Sequence, residues 1–271
     1  MPDPPRPPGY ADVYDNFDTP LMREVRREAY GEDIGQHSWV TAEELSSDIP
    51  RLQLSPASHL LDLGCGPCGP LVFVVANLGC RGTGVDCSAE AIALGQTRAT
   101  EKNVARLVAL HLADLNQPVP LNTAAFNAVI SIDVVLHLRE RHAIFQEVAR
   151  LLTPGGRFLF TDAAVVTGAV SNEEVEKRAL HGFTRFAPPG FNEGLLAQSG
   201  LRLLEQDDRT ASLLRTAQGR LAARVAHRAE LESLEGPAGF ARQLGYLETL
   251  VATSQRGALS RIMYLAERAT S

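Results

Sequence analysis

The chain has 271 residues, the size of one large domain or of one domain carrying a substantial insertion. Its 45% apolar and 21% charged residues are ordinary globular proportions, and 26 Lys+Arg against 32 Asp+Glu leave a net charge of −6. That sign argues against the broad basic face of a nucleic-acid binder. No apolar run reaches the roughly 18–20 residues that span a bilayer, so neither nucleic acid nor membrane is expected as a partner.

Residues 1–9 are too rich in proline for a helix or a central strand and read as a disordered tail. Proline also stands where a signal peptide would carry its apolar core, so a cytoplasmic location is expected. Residues 10–57 are helical in pieces, with Thr41 as an N-cap for Ala42-Glu43-Glu44-Leu45. From Ser58 short apolar runs alternate with helical ones. His59–Leu63 reads as a buried strand, Leu71–Leu78 as a helix, Thr83–Asp86 as a second strand, and Ser88 caps a helix from Ala89 to Thr100. Leu107–Leu112, the continuously apolar Phe126–Ile132 and Arg157–Thr161 are the third to fifth strands. An amphipathic helix over Arg139–Leu152 is ended by Thr153-Pro154-Gly155-Gly156. Such alternation predicts a parallel sheet with helices on both faces. Further on, Leu201–Glu205 and Arg261–Ala266 read as strands. The apolar spacings of Leu213 to Val225 and Phe240 to Val251 read as two long helices inserted between them. The Arg-rich later stretch (Arg215, Arg220, Arg224, Arg228) also contains Glu230, Glu232 and Glu235 and reads mostly as a solvated face.

Cys65, Cys68, Cys80 and Cys87 crowd into one stretch, where a disulfide framework would spread them, and read as small thiols of a reducing compartment. Cys65 and Cys68 have the spacing of half a zinc site, but both belong to a better-explained turn, and no metal is expected. That turn is Asp62-Leu63-Gly64-Cys65-Gly66-Pro67-Cys68-Gly69, between a strand and its helix. Its glycines allow close backbone approach to a ligand. Gly64, Gly66 and Gly69 also satisfy the dinucleotide pattern G-x-G-x-x-G, which is weak alone. Three carboxylates narrow the ligand. Asp62 suits a cationic amino group and would repel a pyrophosphate. Asp86 ends the second strand about twenty residues beyond the glycines, where a carboxylate accepts ribose hydroxyls. Asp114 follows the third strand and suits an adenine amino group. All stand at C-terminal strand ends and describe one cleft at a switch point of the sheet.

On LLDLGCGPCGP, GTGVDCS, LADL, FNAVISIDVVLHL and LLTPGGRFLFTD, residues 58–165 resemble the class I S-adenosylmethionine-dependent methyltransferases. The resemblance implies an α/β, Rossmann-like doubly wound sheet of seven strands with an antiparallel last strand, and S-adenosylmethionine as cofactor. It implies that Asp62, Gly64 and Gly66 meet the methionine end, Asp86 the ribose, and Asp114 and Leu115 the adenine, with Cys65, Cys87 and Ile132 beside them. The usual Asp-Ala and Leu-Pro-Phe after the third strand are replaced here by Asp114-Leu115-Asn116-Gln117-Pro118. Tyr30–Trp39 looks like the N-terminal gate of the small-molecule branch, which includes tocopherol-type C-methyltransferases. Residues 10–57 then form a helical gate, 58–165 the cofactor-binding core, and 166–271 the rest of the sheet with a helical substrate lid at about 208–257. Tyr14, Gln36 and Ser38 become candidate cofactor contacts; Tyr30, His37 and Trp39 become candidate acceptor contacts.

Methyl transfer is an in-line displacement at an activated carbon, so the protein must align the nucleophile, exclude water and, for a hydroxyl, take a proton. The run Ile132 to Leu138 looks like that of phosphoethanolamine N-methyltransferases and of natural-product sugar O-methyltransferases. In the latter this histidine is the proposed base. His137, with Asp133 and Asp162, is therefore the expected catalytic set, and His37 is a rival base. Phe183, Arg185 and Phe186 follow the fifth strand and its helix, where such segments line the acceptor pocket. The expected function is O-methylation of a small natural product or metabolite, with N- or C-methylation possible on the same scaffold. An NAD-dependent oxidoreductase and a non-catalytic cofactor-binding protein are the competing classes; Asp62 and the Pro-Gly-Gly turn argue against the first. Monomer and homodimer are both open.

Overall fold

A computed structural model describes residues 13–180 and 182–270; the proline-rich stretch 1–9 lies outside the described residues. The N-terminal segment forms α1 (Pro20–Tyr30) and α2 (Ala42–Asp48). Each has a threonine cap: Thr19 Oγ1 accepts from Met22 N at 3.4 Å, and Thr41 Oγ1 from Glu44 N at 3.1 Å. There follow β1 (His59–Leu63), α3 (Gly69–Leu78), β2 (Arg81–Asp86), α4 (Ala89–Glu101), β3 (Val108–Leu112), β4 (Phe126–Ile132), α5 (Arg141–Leu151) and β5 (Leu152–Val166). The chain ends with α6 (Asn172–Arg178), α7 (Phe191–Gln198), β6 (Leu201–Asp208), α8 (Thr210–Ala226), α9 (Arg228–Gln255) and β7 (Leu259–Arg268).

The seven strands make one sheet in the order β3-β2-β1-β4-β5-β7-β6. β1 to β5 pair in parallel, and β7 runs antiparallel between β5 and β6. Alternate residues of a strand serve opposite faces. Leu61 and Leu63 of β1 join Val129, Phe158, Phe160 and Tyr264 in one buried cluster, while Leu60 joins Ile130, Leu159, Met263 and Leu265 in another. The order reverses between β1 and β4, so a cleft opens beyond their C-terminal ends.

The fifth strand begins earlier than its apolar run. Leu152 pairs with Phe126, the register slips, and Gly155 at φ 76° absorbs the extra residues before Arg157 pairs with Ala128. Thr153-Pro154-Gly155-Gly156 is thus part of the strand, and the helix stops before it at Leu151. α8 and α9 fill the stretch between β6 and β7, and α9 kinks at Gly236, φ 74°, just before Pro237. α8 lies against α1 so closely that a Cβ on Gly219 would stand 2.7 Å from the Ala29 carbonyl oxygen. Among the described residues, no helix is long and apolar enough to cross a membrane.

Candidate active site

The cleft is floored by the turn after β1. Gly64 and Gly66 have φ of 76° and 51°, and a Cβ on Gly64 would stand 2.5 Å from Val134 Cγ1. Gly66 N donates to Asp86 Oδ2 at 2.8 Å and Ser88 N to Oδ1 at 2.9 Å. These bonds fix the Asp86 carboxylate at the cleft wall and leave each oxygen a further lone pair. Burial raises its pKa, and the same amides pull it back. Asp62 is 2% exposed, and no hydrogen bond or ion pair reaches its carboxylate among the described residues. Burial and the nearby Asp86 push it up to about 8. A buried carboxylate with no cation beside it is a prepared seat for an ammonium group. Cys65, Cys87, Asp114, Leu115 and Ile132 complete this end of the cleft. The Asp114 Oδ1 accepts from Asn116 N and Nδ2.

The N-terminal segment crosses above. Gly69 makes this possible, since a Cβ there would stand 2.5 Å from the Gly35 carbonyl. Arg98 clamps the crossing by donating to the Pro67 carbonyl and, at 3.2 Å, to Asp18. Tyr14, His37, Ser38 and Trp39 reach the cleft. The Tyr14 hydroxyl lies 3.1 Å from where a Gly66 Cβ would be, and Ser38 Oγ is buried without a hydrogen-bond partner among the described residues.

His137 stands half-buried in a short turn after β4, on the wall of the same cleft. Its Nδ1 lies 3.1 Å from the Phe183 carbonyl oxygen. A carbonyl only accepts, so Nδ1 carries the proton and Nε2 is the basic nitrogen of the neutral ring. Burial lowers its pKa first, and the Arg178 charge adds to that.

Several expected site residues are placed elsewhere. Asp133 borders the cleft, but its carboxylate is committed. Oδ2 accepts from Trp39 N at 2.9 Å, and Oδ1 from Thr161 Oγ1 and Arg261 Nε, both at 2.8 Å. Arg261 is fully buried and also bonds Glu44 of α2 at 2.6 Å. Asp133 is thus a knot holding the N-terminal segment to the sheet, not a free acid or base. Asp162 is fully buried, paired with Arg141 at 2.7 Å and bonded by Asn192 at 2.9 Å. It does not border the cleft. Gln36 is turned into its own loop, where Oε1 accepts from Ile34 N and Nε2 donates to the Glu32 carbonyl. Tyr30 lies behind the crossing, its hydroxyl donating to the Ser38 carbonyl at 2.6 Å. Phe183, Arg185 and Phe186 stand outside the lining, and the first two brace the His137 turn instead: the Phe183 carbonyl meets His137 Nδ1, and Arg185 N donates to the Leu136 carbonyl at 2.7 Å. Two lining residues had no sequence signal pointing to them, Arg220 of α8 and Tyr246 of α9. Arg220 lies 4.8 Å over the Trp39 ring, and Arg224 is buried against Glu235, so this side of α8 faces the protein and is not solvated.

Residues 61–160 match the family model described as "Methyltransferase domain". Methyltransferase GfsG of Streptomyces halstedii is 27% identical over 164 residues, 58% of each chain. Phosphoethanolamine N-methyltransferase of Triticum aestivum is 27% identical over 64% of this chain and 34% of its own length. O-methyltransferase resE of Aspergillus sclerotiorum is 26% identical over 73% of this chain and 76% of its own. The chain thus spans less than two thirds of the first two relatives. Among solved structures, a Galdieria sulphuraria protein described as a candidate sarcosine dimethylglycine methyltransferase superposes with a TM-score of 0.77 at 20% identity, covering 85% of both chains. The geranyl diphosphate C-methyltransferase of Streptomyces coelicolor, solved with S-adenosyl-L-homocysteine, gives 0.70 at 18% identity, covering 93% of this chain and 100% of that one. S-adenosylmethionine is the cofactor such a domain takes, and the cleft fits it. The unpaired Asp62 suits its ammonium, the orphaned Ser38 Oγ its polar methionine end, and the Asp86 lone pairs its ribose.

Proposed function

We propose that the chain is a class I S-adenosylmethionine-dependent methyltransferase, a reading that the methyltransferase-domain match of residues 61–160 supports, and that the whole protein methylates a hydroxyl of a small metabolite with His137 as general base. S-adenosylmethionine, when bound, supplies a methyl group on a sulfonium, already activated for displacement. The chain supplies the rest. Residues 13–57 act as a gate and α8–α9 as a lid, which exclude water and fix the angle of approach. Trp39 and Tyr246 border the cleft as a stacked pair and help to wall it off from water. His137 Nε2 takes the acceptor proton while the Phe183 carbonyl holds Nδ1–H and orients the ring. That hydrogen bond carries the O-methylation reading, because an amine that reacts as the free base needs no such oriented acceptor. His37 also borders the cleft, packed edge-on to Tyr14 at 5.7 Å. The protein acts in the cytoplasm, consistent with four cysteines that form no disulfide.

Replacing His137 with alanine is expected to lower kcat by about 10²–10⁴ while cofactor affinity stays within about twofold. The wild-type kcat/KM should rise with pH through a value below the ordinary 6.5 of histidine and stay flat above it, because the lowered pKa leaves the base unprotonated at neutral pH. Wild-type turnover in His137→Ala, measured at saturating acceptor, would overturn the assignment.

A further inference from the structure

A second cavity lies behind the N-terminal crossing, between α1, α8 and α9. Its volume is about 430 Å³, against about 200 Å³ for the cleft. Small-ligand sites run to about 300–1,000 Å³, so the cleft has room for the cofactor and little more than the reacting end of an acceptor. His37 and Arg220 border both spaces. Arg220 stands at the junction. Its guanidinium lies 4.8 Å over Trp39 of the cleft and donates to the hydroxyl of Tyr30, which lines the second cavity. Inside, Phe17 and Val25 are buried and make an apolar wall with Met22 and Leu234. Arg26 and Arg224 are neutralised there by Asp33 and Glu235. Arg242 is exposed at the mouth, and no ion pair reaches it among the described residues.

We propose that this cavity is a second compartment of the acceptor site, and that the acceptor is an elongated amphipathic acid. Its reacting hydroxyl stands at His137, its apolar body passes Arg220 and lies along Phe17, Met22 and Val25, and its acidic group stays at the mouth beside Arg242. The proposal rests on the methyltransferase reading above and names the acceptor class within it. Each part of the cavity constrains one part of the molecule. The junction at Arg220 is a long side chain rather than backbone, so it can turn aside to let a chain through. The apolar wall favours carbon over charge, by about fourfold for each fully buried methylene. The exposed arginine at the mouth gives direction more than affinity, because a solvated ion pair is worth little.

The test uses the full chain saturated with S-adenosylhomocysteine and titrated with sodium butanoate, hexanoate and octanoate, with octylamine as the cationic control. Trp39 is the one tryptophan of the chain and lies under Arg220, so its fluorescence reports displacement of that guanidinium. Binding is expected to be saturable, to tighten about two- to fourfold for each added methylene, and to favour octanoate over octylamine. Gly239→Leu narrows the cavity with little risk to the fold. A Cβ there meets only Glu235 Cβ at 3.4 Å and Arg242 Nη2 at 4.0 Å, both in the lining, and leucine suits a helix better than glycine. It should weaken octanoate by about tenfold or more and leave S-adenosylhomocysteine affinity unchanged. Arg242→Gln should weaken octanoate by about two- to fivefold. ω-Hydroxydecanoate and ω-hydroxyhexadecanoate should in addition shift the NMR signals of the His137 ring. No saturable binding of octanoate, or undiminished binding in folded Gly239→Leu, overturns the site. Octanoate binding with no His137 response to either hydroxy acid overturns its role as an acceptor compartment and leaves an effector site. The chain-length series in the wild-type protein judges the cavity even if the variant fails to fold. Failure of S-adenosylhomocysteine to bind would instead count against the methyltransferase reading, and the octanoate titration of the free chain would still judge the cavity.

Discussion

Asp62 is the residue whose ionisation the cleft controls most directly. With its pKa pushed up to about 8 by burial and by Asp86, it is largely protonated in the free protein at neutral pH. An ammonium placed beside it stabilises the carboxylate and expels that proton. Binding of S-adenosylmethionine should therefore release protons, and affinity should climb between about pH 6 and pH 8, by at most tenfold per unit. Calorimetry in buffers of different ionisation enthalpy reads the release; Asp62→Asn should abolish it and weaken binding. The position of this residue was legible from its sequence neighbours, as were Gly64, Gly66 and Asp86, because a strand end followed by glycines fixes where a carboxylate must point. Asp133 and Asp162 were not. Both stand near a strand end in the sequence, but what decides their roles is Arg261 and Arg141, whose pairing with them is set only by the assembled sheet.

The elements that roof the cleft come from opposite ends of the chain and meet at α1 and α8. Gly219 is required there because its neighbour is backbone, the Ala29 carbonyl, which cannot turn aside as a side chain would. Gly219→Val should force the two helices apart, costing about 1–3 kcal/mol by chemical denaturation. It should also weaken cofactor binding, since Tyr30 at the end of α1 holds the Ser38 carbonyl and so the crossing above the glycine turn. Both α8 and α9 were readable as helices from their apolar spacing, but which face each turns inward was not. The arginines of α8, with glutamates following in α9, suggested a solvated face, whereas Arg224 finds Glu235 of α9 and Arg220 finds Trp39. Paired and ring-covered arginines leave the same sequence pattern as solvated ones. The short α6 starts on a capping box, Ser171 with Glu174.

At the scale of the whole molecule, the order β3-β2-β1-β4-β5-β7-β6 puts the cleft where the sheet changes direction, between a floor built from residues 62–137 and a roof built from residues 14–39 and 220–246. A ligand that touches floor and roof binds only the assembled chain, so its binding free energy adds to folding stability. S-adenosylmethionine at about a hundred times its Kd should add about 2.7 kcal/mol, a rise in Tm of about 5–10 °C. NAD at the same concentration should give no such rise. Its pyrophosphate would have to approach the turn where Asp62 and Asp86 stand together, where burial first and Asp86 second already drive Asp62 toward its neutral form, and where, among the described residues, an added anion meets no unpaired cation. The pattern G-x-G-x-x-G is therefore shared with dinucleotide folds in geometry but not in charge, and charge decides which ligand the turn accepts. A stabilisation by NAD alone would overturn that ordering of effects and, with it, the assignment of the cleft to a sulfonium cofactor.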